Sequence, residues 1–199
     1  MKNKFKLLSF LILGSLFMLN LWSAYSVFMF NDKSFYAENG IIENLQAVVL
    51  AISCITFLVL GLREKAPVKL ILLFYSLLCY SFLVRELDVE RLNVHEAFKL
   101  IGSGIGRNIT LVIGFTAMAF FAASKFNFYK KAGIQFIKSK PGMLLLSAGM
   151  FLFIGDVFEK SRTVIHHVFF EESFELLGYC LILISALAVK FRADSSSRP

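Results

Sequence analysis

An all-α fold, a polytopic membrane helical bundle with six transmembrane helices, is what this sequence predicts, and three observations predict it. The chain of 199 residues is 57% apolar and only 18% charged, whereas soluble domains are roughly half apolar and about a quarter charged. Its mean hydropathy is +0.70. The apolar residues, among them 23 Phe, fall in long runs rather than in the short alternations of a soluble core.

A spanning helix needs roughly 20 mainly apolar residues, and six runs qualify: 7–30, 41–61, 67–84, 107–124, 141–158 and 170–190. The first follows Met1-Lys2-Asn3-Lys4-Phe5-Lys6 and imitates a secretory signal, but it is longer than a signal core of about 7–15 residues and its Ser-Ala-Tyr-Ser at 23–26 is a poor cleavage site. It reads as an uncleaved first span. Runs three and five are short, so their ends are expected to take in the polar residues that follow. Pro67 and Pro141 open those two runs, where a missing N–H costs nothing. The six runs make residues 1–190 one bundle. The remainder, 191–199, with Ser195, Ser196, Ser197 and Pro199, reads as a disordered cytoplasmic tail.

Orientation follows from the basic residues. With the N-terminus inside, the outer side keeps Lys33, Arg85, Arg91, Lys99, Arg107, Lys160 and Arg162, and the other fourteen of the 21 lie inside. The positive-inside rule therefore favours N-in, C-in. The net charge of +7 sits in short connections, so topology and anionic lipid headgroups on the cytoplasmic side explain it, not nucleic acid. Two connections are long enough for surface helices. Residues 85–106 mix charges with Leu87, Leu92, Val94 and Phe98; residues 125–140 alternate Lys with Phe126, Phe128, Tyr129, Ile134 and Phe136. Cys54, Cys79 and Cys180 are an odd set within apolar runs, without CxxC spacing, and read as packing residues.

Ionisable groups gather at the outer ends of the spans. Glu43, with Asn44 and Gln46, opens run two; Arg85, Glu86 and Asp88 close run three; Arg107 and Asn108 open run four; Asp156, Glu159 and Lys160 close run five; and His166, His167, Glu171, Glu172 and Glu175 lead into run six. Carboxylates facing lipid cost several kcal/mol, so a polar pocket facing the periplasm is expected. Three readings stay open. In the first, Arg85, Arg107 and Lys160 pair with the carboxylates and hold helices, or a membrane-protein partner, in register. In the second, the chain is a metal-dependent membrane enzyme with Glu43, Glu86, Asp156, Glu171 and Glu175 as acid, base or ligand groups, and with His166, His167, Glu171 and Glu175 holding a divalent metal. That spacing is neither HExxH nor the Glu-x-x-His repeat of di-iron bundles. In the third, the chain moves a small solute or ion, although the membrane midplane carries no charged residue. Haem is disfavoured because no histidine lies mid-span.

Other patterns yield structural readings. Gly102-Ser103-Gly104-Ile105-Gly106 lacks the Lys-Ser/Thr of a phosphate loop and reads as a joint into run four. Ser147, Ala148, Gly149 and Gly155 read as a close helix-packing surface. Trp22 reads as a packing residue.

The segments Glu38-Asn39-Gly40-Ile41-Ile42-Glu43-Asn44-Leu45-Gln46-Ala47 and Leu83-Val84-Arg85-Glu86-Leu87-Asp88-Val89-Glu90 resemble uncharacterised bacterial multi-pass inner-membrane proteins. Those carry an acidic-Asn/Asp-Gly-x-x-Glu-x-x-Gln segment opening one span and an Arg-Glu-x-Asp segment closing the next. The resemblance covers runs two and three. It implies a bacterial cytoplasmic (inner) membrane and a pairing of Glu43 with Arg85 or Glu86, and it supplies no reaction.

Overall fold

A computed structural model describes residues 2–37, 40–87, 99, 102–161 and 163–196. Among them the secondary structure is helical throughout. The helices are α1 (Lys2–Phe30), α2 (Ile41–Arg63), α3 (Val68–Glu86), α4 (Gly104–Ser124), α5 (Phe126–Ile137), α6 (Lys140–Lys160) and α7 (His167–Ser196), with a 3-10 turn at Ser34–Tyr36. All but α5 are long and apolar enough to cross a membrane, so the chain is a multi-pass membrane protein. The expected surface helix over 85–106, and with it Asp88, Arg91 and His95, lies largely outside the described residues; so do Glu38, Asn39 and Arg162.

Each expected run falls on one helix, save Pro67, which stands just before α3 as its N-cap. As anticipated, α3 takes in Arg85 and Glu86, and α6 takes in Glu159 and Lys160. Ser139 caps α6 by accepting from the Gly142 N–H (3.4 Å), and Pro141 sits in the first turn. At the start of α4, Ser103 is extended and Gly104 adopts φ +52°, a left-handed conformation in which a Cβ is penalised. The glycine-rich joint thus has a defined shape. The expected disorder from residue 191 is corrected in part: α7 continues through Phe191 and Arg192 to Ser196, and the Phe191 ring packs edge-on against Phe5 of α1 (5.8 Å). Residues 197–199 lie outside the described set.

The chain divides into two compact units, residues 1–49 with 139–199, and residues 50–138, the division falling within α2. In the first unit α7 packs along α6 and touches α1. It is the most buried of the spans. Its approach to α6 depends on small residues. A Cβ on Gly178 would meet Leu152 Cγ and Cδ2 at 2.9 Å and the Ala148 carbonyl at 3.2 Å. A Cβ on Gly155 would meet Glu175 Cγ at 3.0 Å. Ala148 is buried, and the fully buried Ser185 hydroxyl donates to the Pro141 carbonyl (2.9 Å). This is packing by close backbone contact, suited to a medium in which lipid tails are as apolar as the side chains. Gly149 is not part of it: its α-carbon faces open space.

In the second unit α3 packs on α4, with Gly114 against Leu77 and Phe74 against Phe115. The buried contact between α2 and α3 is a reciprocal polar one. The Ser76 hydroxyl donates to the Cys54 carbonyl (3.0 Å) and the Cys54 thiol to the Ser76 carbonyl (3.4 Å). Cys79 and Cys180 are buried and Cys54 half-buried, all as free thiols. α4 buries no residue.

Gly178→Val is expected to lower the stability of the purified protein by about 1–3 kcal/mol through overpacking, read as a lower thermal midpoint in detergent. Gly149→Ala, which adds a methyl group to open space, is expected to leave that midpoint unchanged or raise it.

Candidate functional site

The turn between α1 and α2 sets the approach to the site. Asn31 takes the left-handed conformation (φ 53°) after α1, as Asn tolerates. The Asp32 carboxylate accepts the Ser34 N–H (2.9 Å) and is thereby held below the usual carboxylate range. Carbonyls of Ser34, Phe35 and Ala37 converge on Gly40, where a Cβ would lie 2.6 Å from the Ala37 oxygen. Only glycine fits there. α2 then starts at Ile41 with half-buried Glu43 in its first turn, where the positive end of the helix dipole favours a carboxylate.

One turn deeper, Gln46 is fully buried, with 0% exposure. Its Nε2 donates both to the Glu172 carbonyl (3.0 Å) and to Glu172 Oε2 (2.8 Å) on α7. Its Oε1 is buried, with no hydrogen-bond partner among the described residues. Nearly one turn along α7 from Glu172, Glu175 is buried at 5% exposure and lies over Gly155 of α6. The Glu171 carbonyl would lie 3.4 Å from a Cβ at the same glycine, and Asp156 follows Gly155 in sequence. Gln46 of α2 thus bonds directly to Glu172 of α7, and Glu175 of α7 packs on Gly155 of α6. The connection before α7 closes beside them: the Tyr36 hydroxyl lies 3.3 Å from His166 Nδ1, and Phe28 packs edge-on against the rings of His166 and Phe169. His166 holds φ 58°, a strained conformation for a histidine, sustained by this aromatic packing.

The predicted site residues divide between the units. Glu43, Asp156, His166, His167, Glu171 and Glu175 belong to the first; Arg85, Glu86 and Arg107 belong to the second. Two ion pairs each join residues of one helix. Lys160 binds Asp156 one turn back on α6, both well exposed; such surface pairs contribute about 0–1 kcal/mol. Arg85 Nε and Nη2 both reach Glu86 Oε1 (3.0 and 2.8 Å), with the Glu86 side chain only 8% exposed. Arg107 Nη1 donates to the Val84 carbonyl (3.4 Å), joining α4 to the end of α3.

The metal reading finds no support in ligand geometry. Among the described residues no three His, Cys, Asp or Glu side chains stand together as metal ligands. His166 meets Tyr36, and His167 Nδ1 lies against the Val164 carbonyl (3.3 Å). The cleft beside the first turn of α2, about 620 Å³, is lined by Leu19, Ser34, Gly40, Ile41, Asn44, Leu45 and Val48. It is mainly apolar, and none of the carboxylates lines it.

Sequence reasoning placed Gln46 and Glu172 in the polar group without singling them out, and passed over Tyr36. A signal for Gln46 was present. Ile42, Gln46, Val49, Ser53, Phe57 and Leu60 recur at helical spacing, and all are buried; a glutamine in that stripe requires a polar partner. Comparison with family models, curated proteins and solved structures returned no match.

Gln46→Leu is expected to cost about 1–3 kcal/mol, because it leaves Glu172 groups without their donor. A double-mutant cycle with Glu172→Gln, followed by thermal unfolding in detergent, should give a coupling of about 0.5–3 kcal/mol. Strict additivity would separate the two residues.

Proposed function

We propose that this chain is a non-enzymatic multi-pass protein of the bacterial cytoplasmic membrane, N-in and C-in, whose periplasm-facing polar group holds helices in register and organises a membrane-protein partner. The observation carrying this reading is the buried amide of Gln46 bonded twice to Glu172. A buried polar contact between helices specifies register more than it adds stability. The resemblance of the Glu38–Ala47 and Leu83–Glu90 segments to bacterial inner-membrane proteins supports the compartment. The distribution of basic residues supports the orientation.

Glu43, Asp156 and Glu175 act in this account as an electrostatic surround at the helix ends, not as acid or base. Transport receives no support, since no charged group lies mid-span.

Stoichiometric metal analysis of the detergent-purified, folded protein tests the reading against metal-dependent catalysis. The expected result is far less than one divalent ion per chain, unchanged by Glu171→Gln. One ion per chain, lost on that substitution, would overturn the proposal. Reporter fusions at either terminus, active only in the cytoplasm, are the expected result for the orientation.

A further inference from the structure

The short helix α5 is the one described helix too short to span. It joins α4 to the segment before α6, and its residues divide sharply by face. Tyr129, Ala132, Gly133 and Phe136 are half-buried, and Phe136 packs on Tyr75 of α3 (5.6 Å), which in turn packs on Phe57 of α2 (5.7 Å). The helix is thus folded back against the early turns of α3 by an aromatic column. What remains outward is unusual for a water-facing helix: Phe126 is 61% exposed and Phe128 49% exposed. These rings are interleaved with exposed Lys125, Lys130, Lys131 and Lys138. Lys130 Nζ stands over the Phe126 ring (5.8 Å). No Asp or Glu occurs anywhere from 124 to 140.

We infer that α5 is a docking surface for the headgroups of anionic phospholipids, with Phe126 and Phe128 entering the acyl boundary and Lys125, Lys130, Lys131 and Lys138 reaching the phosphates. The two halves of the pattern demand one environment. Exposed aromatic rings are unfavourable in water, and four ammonium groups without a nearby acid are unfavourable in hydrocarbon. An interface with negative phosphates above acyl chains satisfies both. An acidic soluble partner would match the lysines alone. The inference needs only the membrane class of the chain; it is independent of orientation and of the role given to Gln46 and Glu172.

The test uses the full-length protein. In mixed micelles of phosphatidylglycerol and phosphatidylcholine, native mass spectrometry should show preferential retention of phosphatidylglycerol, weakening as salt rises. Each lysine contributes about fivefold, so the variant K125Q/K130Q/K131Q/K138Q should lose the preference by at least about tenfold. Lys33→Gln should not alter it. Independently of any variant, amide hydrogen exchange over 126–137 should be slower in nanodiscs containing phosphatidylglycerol than in phosphatidylcholine alone. Equal retention of the two lipids by the wild-type protein, an undiminished preference in the quadruple variant, or identical exchange in both nanodiscs would each overturn the inference.

Discussion

The first unit depends on the approach of α6 and α7 to within backbone contact. Between lipid-solvated helices there is no hydrophobic gain from association, because the tails they displace are equally apolar. What remains is dispersion between close surfaces and the polar contacts that closeness permits. Gly155 and Gly178 remove the side chains that would hold the helices apart. Once they meet, Glu175 is covered, Ser185 reaches the Pro141 carbonyl, and α7 becomes the most buried span. The Gln46–Glu172 contact depends in turn on the placement of α7.

That order of dependence explains why polar groups are tolerated here. A glutamine or glutamate in hydrocarbon is costly unless bonded. Gln46 meets the requirement on its Nε2 side with two acceptors from one residue of α7. The arrangement fixes both the rotation of α2 and its height against α7, since sliding either helix by a turn breaks both bonds together. Aromatic packing secures the neighbouring turn: Phe28 and Tyr36 both pack on the ring of His166, held at positive φ, and on Phe169.

Much of the fold was legible in the sequence because the signals were strong and one-dimensional. Span number and the surface helix at 126–137 follow from hydropathy runs and their interruptions, and the ends of α3 and α6 followed from the need for length. The far end of α7 was missed because Phe191 was counted with a polar tail, although its ring has a partner on α1. The site was legible only in composition. That Glu43, Asp156, Glu171 and Glu175 lie near span ends is visible in the chain; that Gln46 chooses Glu172, and that Lys160 and Arg85 turn to neighbours on their own helix, depends on rotation angles that hydropathy does not encode. Gly149 and Gly155 show the same limit. They look alike in sequence, yet one faces open space and the other lies under a glutamate.

The absence of any buried residue along α4 carries a consequence for how this chain tolerates change. Outside its contact with α3 at Gly114 and Phe115, such a span is constrained by solvation more than by shape. Exchanges among Ile, Val, Leu and Phe at 109, 112, 113 and 120 leave its transfer free energy nearly constant. Along α7 the same exchanges alter a close-packed contact. Random mutagenesis should therefore find a permissive fourth span and an unforgiving last one, a contrast that follows from the medium each helix touches and not from how hydrophobic it is.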